Sequence, residues 1–558
     1  MGGTARGHRL RTFHALAGNR ALVRILAAYT LFTLIEYSVW LGVLVYAYSR
    51  GGATVAGLVA IAQLIPAAVA APFMAAIADR RSPVFLLAGG YLAQAVLLAA
   101  ATVAVAAGAP VVVYAVAVIA GVAVAGTRPA QATLIPSVAA TPDQLTAANV
   151  LVGWVEAAGF AAAGLLAGAL IALGGVATVF AVCAGLGLGA AMLVARLQAV
   201  TFAPPSERTT TALAGLAESL RLTASRPRLR LMLGLLTAQA AVAGALDLLI
   251  VILAVSVLGL SHAWVGYLNF VYGVGAVLAA TLSVVLIGRR LGVPILSAAL
   301  LLSIAIAALA FDVGLAITMA LLVVAGASHT LLDVSNRILL QRSVPAQLIG
   351  QVFGILEGLQ EAGWALGALL VPLLVYLGGS RLALLGVAAV LPLAAAVGGR
   401  GLFNLDAEAP VPVVEIALLR SLPLFAELPG PAIEALAASL TPEELPASGV
   451  LIRQGDPGDA YYAIAAGELD VQQDGRFLRQ CGRGEGIGEI ALLHSIPRTA
   501  TVIAHSAATV YQLNREPFLS AVLGHAPTHQ QASRIVGARL AADAQPDSPP
   551  GTSPAELD

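Results

Sequence analysis

Apolar segments of membrane-spanning length follow one another from residue 22 to residue 400. An α-helix needs about 20 mostly apolar residues to cross the roughly 30 Å hydrocarbon core of a bilayer. Short breaks such as Arg50-Gly51-Gly52 and Gly378-Gly379-Ser380 separate the segments. The pattern predicts an all-α polytopic membrane protein with twelve transmembrane helices, at 22–49, 52–78, 83–108, 110–135, 144–174, 176–198, 229–259, 262–288, 292–312, 314–342, 347–378 and 380–400.

One long polar interruption, at residues 199–228, divides these spans into two six-helix halves. It contains a Pro204-Pro205 break and then a stretch near 212–225 whose pattern predicts an amphipathic helix along the membrane surface. We therefore expect a basic N-terminal tail at 1–21 that is retained, a first half at 22–198, a central loop at 199–228 and a second half at 229–400.

The distribution of arginine predicts the orientation of the spans. Loops on the cytoplasmic side of membrane proteins carry an excess of positive charge. Here the N-terminal tail, the 199–228 loop and the short Arg80-Arg81 and Arg289-Arg290 loops all lie on the same predicted side. We expect both termini to be cytoplasmic, in a plasma membrane such as the bacterial inner membrane.

The residues after 400 differ in composition from those before. The whole chain is 59% hydrophobic and 11% charged, against about 45–50% and about 25% in soluble domains, and the apolar excess lies before residue 400. Alternating apolar residues and glycine turns beyond it predict a β-roll with flanking helices. A net charge of zero gives no bias towards nucleic acid. We expect a linker at 401–414, this folded domain at 415–545, and a disordered tail at 546–558.

A phosphate-binding motif occurs in the β-roll region, at 486–491 and 497–501. A short helix starting near Glu489 would direct unpaired backbone N–H groups at a phosphate. Gly488 would allow a close backbone approach, and Arg498 would present a planar charged fork to the phosphate oxygens. Glu489 is placed to accept a hydrogen bond from a ribose 2′-hydroxyl.

This motif resembles the phosphate-binding cassette of the cyclic-nucleotide-binding domain family, which includes catabolite-activator regulators, cyclic-nucleotide-dependent kinases and gated channels. The resemblance implies a regulatory ligand, cAMP in preference to cGMP, although a Thr499 hydroxyl that bonds a guanine amino group keeps cGMP open. The stretch 528–542 is expected to cover the base. The residues expected to bind the nucleotide are Ile487, Gly488, Glu489, Ile490, Ala491, Arg498, Thr499, Ala500, Arg534 and Ile535.

Charged residues inside the predicted spans indicate a functional or structural role, because inserting each one into the membrane costs about 2.5–3.5 kcal/mol. Glu36 and Asp247 occupy corresponding places in spans one and seven, as Glu156 and Glu361 do in spans five and eleven. We favour proton coupling or substrate contact for the first pair and a packing role for the second. The expected counter-charges are Arg128 and Arg337. Aromatic residues nearby could line a cavity or simply pack: Tyr37, Trp40, Trp154 and Trp364.

The helical region resembles the major facilitator superfamily. That family has a Gly-x-x-x-Asp-Arg-x-Gly-Arg type loop after its second span, and Asp79-Arg80 matches it while Ala75 and Ser82 replace the two glycines. The resemblance implies two halves that rock around a midplane site, with Asp79 and Arg80 as a gating latch. Residues 128–136 and 145–149 resemble the secretion-effector branch, which implies export.

These patterns predict a proton-coupled exporter of a small amphipathic or lipophilic molecule, regulated by a cyclic nucleotide. Two alternatives stay open: a transporter-like receptor that senses the nucleotide without transporting, and a transporter whose nucleotide domain is only a scaffold. We expect no enzyme, metal site or further cofactor, because His494 and His505 are isolated and no nucleophile–base set occurs. The expected partners are the bilayer, the nucleotide and the substrate, with oligomer formation left open.

Overall fold

Helices dominate the chain up to Glu408, and the β-strands that the structure describes all lie after it. A computed structural model describes residues 18–78, 82–125, 127–138, 142–197, 226–286, 289–344, 349–408, 413–426, 428, 430–523 and 526–543. The chain divides into a helical unit that ends at Ala409 and a C-terminal unit that begins at Pro410.

Eleven α-helices make up the described part of the helical unit. Nine of them are apolar and long enough to cross a membrane, and α3 is a shorter apolar helix. The helices are α1 Arg20–Ala78, α2 Pro83–Ala106, α3 Pro110–Ala125, α4 Thr127–Val138, α5 Pro142–Gly174, α6 Val176–Ala195, α7 Pro227–Ile252, α8 Ala263–Leu282, α9 Gly292–Ala308, α10 Gly314–Ser343 and α11 Ile349–Glu408. A π-helical turn, Leu253–Val257, extends α7.

Two of these helices are bent at glycine pairs. Helix α1 has non-helical backbone at Gly51-Gly52, and α11 has it at Gly378-Gly379. Gly52 and Gly379 have φ angles of 61° and 72°, a left-handed conformation that is strained for residues with a Cβ. Each bend lies at a boundary that the hydropathy pattern predicts between two spans, and each of these helices covers two predicted spans.

Small residues let the two halves approach closely. Gly164 and Gly168 of α5 face Gly266 of α8, where an added Cβ would overlap the α5 backbone. Within the second half, Gly367 of α11 packs in a similar way against the Ala241 carbonyl of α7. Helix packing in membranes depends on such close contact, because the apolar lipid provides no hydrophobic drive between helices.

Helix α11 continues through residues expected to form a linker. It ends at Glu408 rather than near residue 400. The buried Asp406 near its end accepts hydrogen bonds from the backbone N–H groups of Leu291 and Gly292, at 2.8 and 3.0 Å. Those N–H groups lie at the start of α9 and would otherwise lack partners. The extra helical turns thus place a carboxylate cap on α9.

The C-terminal unit is a β-roll flanked by helices, as the sequence predicts. Its helices are α12 Val413–Ser421, α13 Gly430–Ala438, α14 Glu489–His494, α15 Arg515–Leu523 and α16 Ala526–Asp543. Its strands are β1 Thr441–Leu445, β2 Val450–Ile452, β3 Ala460–Ala466, β4 Leu469–Gln473, β5 Arg476–Cys481, β6 Gly486–Ile487, β7 Thr501–Ala504 and β8 Ala508–Asn514. They form two four-stranded antiparallel sheets, in the orders β1-β8-β3-β6 and β2-β7-β4-β5.

Two apolar clusters hold this unit together. One lies between the sheets, where the alternation of β4 directs Leu469 and Val471 inward. The other joins the helices to β3 and centres on the stacked rings of Tyr461 and Phe518, with Phe425 edge-on to both. The second cluster anchors α15 and α16 near β3, the strand that pairs with β6.

Candidate functional site

Gly488 forms the turn between β6 and α14, at the centre of the predicted cassette. Strand β6 pairs with β3 through Ile487 and Tyr462, and Gly488 then takes a left-handed conformation with a φ of 100°. A Cβ at this position would come within 2.5 Å of the Arg498 guanidinium and 2.9 Å of the Ala460 carbonyl oxygen. Only glycine fits here, and its absent side chain leaves room for Arg498.

Arg498 is buried in this turn, with only 5% of its surface exposed. Its guanidinium donates to the carbonyl oxygens of Ala460 at 2.7 Å and Gly488 at 3.3 Å. It also donates to the Asp459 carboxylate at 3.3 Å, but that carboxylate is 80% exposed, so the pair adds little. Arginine has five N–H donors, and these three bonds leave two for an anion.

Glu489 is more deeply buried than Arg498, at 2% exposure. One of its carboxylate oxygens, Oε1, accepts a hydrogen bond from Arg539 of helix α16. The other, Oε2, is buried and has no hydrogen-bond partner among the described residues. A buried acceptor without a donor costs about 1–3 kcal/mol, so this oxygen is suited to accept a ligand hydroxyl.

Arg539 ties the last helix to the cassette. Its guanidinium bonds Glu489 and also donates to the Gly486 carbonyl oxygen at 2.9 Å. Burial by itself lowers the pKa of Arg539, but Glu489, with smaller contributions from Tyr461 and Cys481, raises it, and the net pKa is raised. Helix α16 therefore carries a firmly charged guanidinium beside the unpaired Oε2 of Glu489.

Burial changes the titration of two further groups beside the cassette. It raises the pKa of the Tyr461 hydroxyl, and Glu489 adds to this while Arg539 opposes it. Burial likewise raises the pKa of the Cys481 thiol, which is not in a disulfide. Both groups stay protonated at neutral pH and therefore add no charge to the cassette.

A second set of polar side chains lies in the helical unit. The Asp247 carboxylate on α7 accepts a hydrogen bond from the Trp40 indole on α1 at 3.0 Å. Glu156 of α5 accepts one from the Tyr29 hydroxyl of α1. Glu36 lies within electrostatic range of Tyr91. These carboxylates thus have neutral neighbours from other helices.

Arg337 on α10 bridges several polar groups. It bonds Asp333 one turn earlier at 3.0 Å, contacts Glu357 of α11 at 3.7 Å and donates to Gln360 at 3.0 Å. Gln239 of α7 donates to Asp333 at 3.5 Å. The positive charge of Arg337 therefore interacts with the carboxylates of Asp333 and Glu357.

Comparison with known proteins identifies the two parts of the chain. Residues 25–368 match the model of the family described as "Major Facilitator Superfamily". The chain belongs to the major facilitator superfamily. Residues 442–525 of this major facilitator protein match the model of the cyclic nucleotide-binding domain, the stretch that holds Gly488, Glu489 and Arg498. The protein is therefore a multi-pass membrane protein with a C-terminal cyclic nucleotide-binding domain.

Several proteins are similar to this major facilitator protein over a limited length. A cAMP-dependent protein kinase regulatory subunit of Yarrowia lipolytica is 32% identical over 114 residues, which are 20% of this chain and 30% of that protein. The subunit of Aspergillus niger is 35% identical over 104 residues, 18% and 25% of the two chains. The chain thus spans less than a third of the length of these curated relatives.

Two solved structures are also similar. The regulatory domain of Toxoplasma gondii PKA with cAMP is 33% identical, with a TM-score of 0.20 over 20% of this chain and 44% of that chain. The Thermus thermophilus catabolite activator protein is 25% identical, with a TM-score of 0.20 over 22% and 59%.

The predicted cassette residues of this major facilitator protein come together around one turn. Ile487, Ile490 and Ala491 are buried there, and Thr499 and Ala500 are half-buried. Of the predicted lid residues, Arg534 is exposed, and Ile535 packs into the helical apolar cluster, which includes Leu492 of α14. Their contact with a nucleotide stays a prediction. His505, expected to be isolated, has its Nδ1 3.0 Å from the Asp470 carboxylate.

Sequence reasoning missed Arg539 and Asp333. Ala532 and Val536 are buried on α16, and Arg539 follows on the same helical face. The available sequence signal for Arg539 was its position as a cation on the apolar face of a helix. Asp333 precedes Arg337 by four residues, the spacing of neighbours on a helix.

Among the predicted transport residues, Glu361 is half-buried. Asp79, Arg80 and the Arg128 side chain lie outside the described residues, as does the 212–225 stretch.

Proposed function

We propose that this protein is a secondary active transporter with twelve membrane spans, that it exports a small amphipathic or lipophilic molecule in exchange for protons, and that cytosolic cAMP regulates it. Membership of the major facilitator superfamily supports transport. The C-terminal domain supports regulation, because a nucleotide that binds one transporter conformation better than another shifts the balance between them.

One observation carries the nucleotide part of the proposal. Within the described residues, Arg498 has two N–H donors without an acceptor, and Glu489 has a buried oxygen without a donor. A cyclic nucleotide offers the complementary groups: a singly charged cyclic phosphate for the guanidinium and a 2′-hydroxyl for the carboxylate. Binding would thus satisfy the unpaired acceptor and use the remaining arginine donors.

The choice of cAMP rests on the relatives. Regulatory subunits named for cAMP dependence are 32% and 35% identical to this chain over about a hundred residues. Thr499 beside Arg498 is only half-buried and keeps the cGMP alternative open. A comparison of the two nucleotides belongs in the first binding experiment.

Proton exchange is proposed from the carboxylates of the helical unit. Asp247 on α7 is held by a neutral indole from α1, and Glu36 lies on the same α1 helix. A carboxylate in such a place can bind a proton on one side of the membrane and release it on the other. Since α1 and α7 open the two six-helix halves, a change in this contact accompanies any rocking of the halves.

Calorimetric titration of the purified full-length protein with cAMP and cGMP tests nucleotide binding. The matched variants are Arg498→Gln and Arg483→Gln, because Arg483 lies on an exposed turn of the same domain. We expect Arg498→Gln to weaken binding by about tenfold or more, the effect of losing one charge-assisted contact, and Arg483→Gln to change nothing. Thermal melting confirms that both variants fold.

Hydrogen exchange of the helical unit tests regulation without a known substrate. We expect cAMP to change exchange in peptides of α1 to α11 in the wild type and not in Arg498→Gln. Binding with changes confined to residues 413–543 would contradict regulation and favour the scaffold alternative. No binding of either nucleotide would contradict the proposed ligand.

A further inference from the structure

A row of aromatic rings crosses the helical unit from one half to the other. Tyr37 of α1 meets Phe160 of α5 with ring centroids 5.0 Å apart, and Phe160 meets Tyr272 of α8 at 6.0 Å. Tyr272 continues the row to His329 of α10 at 6.2 Å. Tyr37 and Phe160 belong to the first half, and Tyr272 and His329 to the second. The row thus connects the two halves of the helical unit, and transporters with such repeated halves bind their substrates between them.

The negative charge of Asp247 lies beside this row. Tyr272 is within electrostatic range of the Asp247 carboxylate, and the Trp40 indole donates to that carboxylate at 3.0 Å. An indole N–H is a neutral donor, so it leaves the charge uncancelled. Asp247 forms no ion pair with any cation that the structure describes. A desolvated, unpaired carboxylate is costly, and a bound cation relieves the cost.

The neighbouring carboxylates of the second half already have a cationic partner. Asp333 bonds Arg337 at 3.0 Å, and Glu357 lies 3.7 Å from the same guanidinium. Arg337 is thereby engaged and cannot serve Asp247. Asp247 differs from them, because its described partner is the neutral Trp40 indole N–H, and it lies within electrostatic range of Tyr272.

We infer that the midplane site takes a lipophilic organic cation, with Asp247 as its charge partner. The positive charge would sit against the carboxylate, and the apolar body would lie along Trp40, Tyr272, Phe160 and Tyr37. Aromatic faces attract cations through the ring quadrupole, by about 0.5–2 kcal/mol each. The inference rests on the proposed transport function and names its substrate class. Asp247 would repel an anion, and Arg337 would not offset this repulsion because it already bonds Asp333 and contacts Glu357.

Tetraphenylphosphonium and tetraphenylborate test this inference, because the two ions match in size and apolar surface and differ in the sign of charge. Saturable binding of each to purified full-length protein is measured by equilibrium dialysis, with protein-free detergent micelles as the blank. We expect saturable tetraphenylphosphonium binding and none for tetraphenylborate. Equal binding of the two ions would overturn the inference. This comparison uses the unaltered protein.

The variant Asp247→Asn removes the charge but keeps an oxygen for the Trp40 indole. Its matched control is Asp312→Asn. Asp312 is an exposed carboxylate between α9 and α10, and asparagine tolerates the left-handed backbone conformation of this position. We expect Asp247→Asn to weaken tetraphenylphosphonium binding by about tenfold and Asp312→Asn to leave it unchanged. Equal affinity in all three proteins would overturn the role of Asp247.

Failure of this inference is separable from failure of the proposed function. Protein that binds cAMP, shows the nucleotide-dependent exchange change and yet gives no saturable tetraphenylphosphonium binding would overturn the cation class alone. Cation binding without any nucleotide effect would leave the substrate class standing and contradict regulation.

Discussion

The guanidinium of Arg539, in the last described helix, bonds the carboxylate of Glu489, fifty residues earlier in the cassette. Their side chains are 14% and 2% exposed, so this is a largely buried ion pair. The pair uses Oε1 of Glu489 and leaves Oε2 unpartnered within the described structure. Helix α16 and the proposed nucleotide site therefore share one carboxylate, and a ligand that bonds Oε2 would also act on the group that holds α16.

The first prediction concerns the stability that this pair gives. The variant Arg539→Gln leaves a buried carboxylate without its cation, which typically costs about 3–5 kcal/mol. We expect faster hydrogen exchange in β3, β6 and α16, measured by mass spectrometry on the full-length protein. Arg534→Gln is the matched control, because Arg534 is an exposed arginine on the same helix. Equal effects of the two variants would show that the pair contributes nothing specific.

The second prediction concerns Oε2 of Glu489. If it accepts the ribose 2′-hydroxyl, the wild type binds cAMP more tightly than 2′-deoxy-cAMP, by about tenfold for a hydrogen bond to a charged group. In Glu489→Gln the acceptor is neutral, and we expect the ratio of the two dissociation constants to shrink. Calorimetry with both nucleotides on both proteins measures it. A ratio unchanged by the substitution would exclude contact between Glu489 and the ribose.

The cassette could be predicted from sequence because its chemistry is local. Gly488, Glu489 and Arg498 lie within eleven residues, and the turn that joins them needs only the positive φ of Gly488. The positions of the bends in α1 and α11 could also be predicted from sequence, because paired glycines interrupt otherwise continuous apolar segments there. In both cases neighbours in sequence determine the geometry.

Contacts between distant segments could not be predicted in this way. Trp40 and Asp247 are 207 residues apart. Arg539 bonds Glu489 from helix α16, and the sequence pattern of that helix indicates which face is buried but not which residues the face contacts. Asp406 shows the same limit, because hydropathy placed the end of the last span near residue 400. The helix continues since Asp406 caps α9, a partner more than a hundred residues earlier.

The third prediction concerns alkaline pH. Burial, with a smaller effect of Glu489, raises the pKa of Tyr461 above its ordinary value of 10.0. Above about pH 10 the unfolded chain loses this proton while the folded domain keeps it, so the stability present at lower pH is progressively lost. Cys481 acts in the same direction, because burial also raises its pKa.

Tyr461→Phe isolates the tyrosine, since the ring stacking on Phe518 is kept and the ionisable hydroxyl is removed. Pulse proteolysis in urea at about pH 8 and about pH 10.5 compares the domain in both proteins. We expect the stability lost between the two pH values to be smaller in the variant. Equal losses would mean that Tyr461 does not govern this pH dependence.

The last prediction tests the contact between the two halves. A Cβ on Gly266 of α8 would overlap the backbone of Gly164 and Gly168 on α5. Overpacking of this kind typically costs about 1–3 kcal/mol, so we expect Gly266→Ala to lower the melting temperature of the helical unit. All four tryptophans, at 40, 154, 264 and 364, lie in that unit, and their fluorescence on heating in detergent reports its unfolding.

Gly234→Ala is the matched control for this substitution. Gly234 is an exposed helical glycine on α7, and a Cβ added there would have no neighbouring atom within 4 Å. Alanine is favoured over glycine within a helix by up to about 1 kcal/mol, so the melting temperature should stay the same or rise. Opposite shifts in the two variants would locate the loss in the α5–α8 contact, since both add the same methyl group to a helix. Equal losses would mean that the helices tolerate no added methyl group wherever it lies, and would remove the case for glycine-mediated packing between the halves.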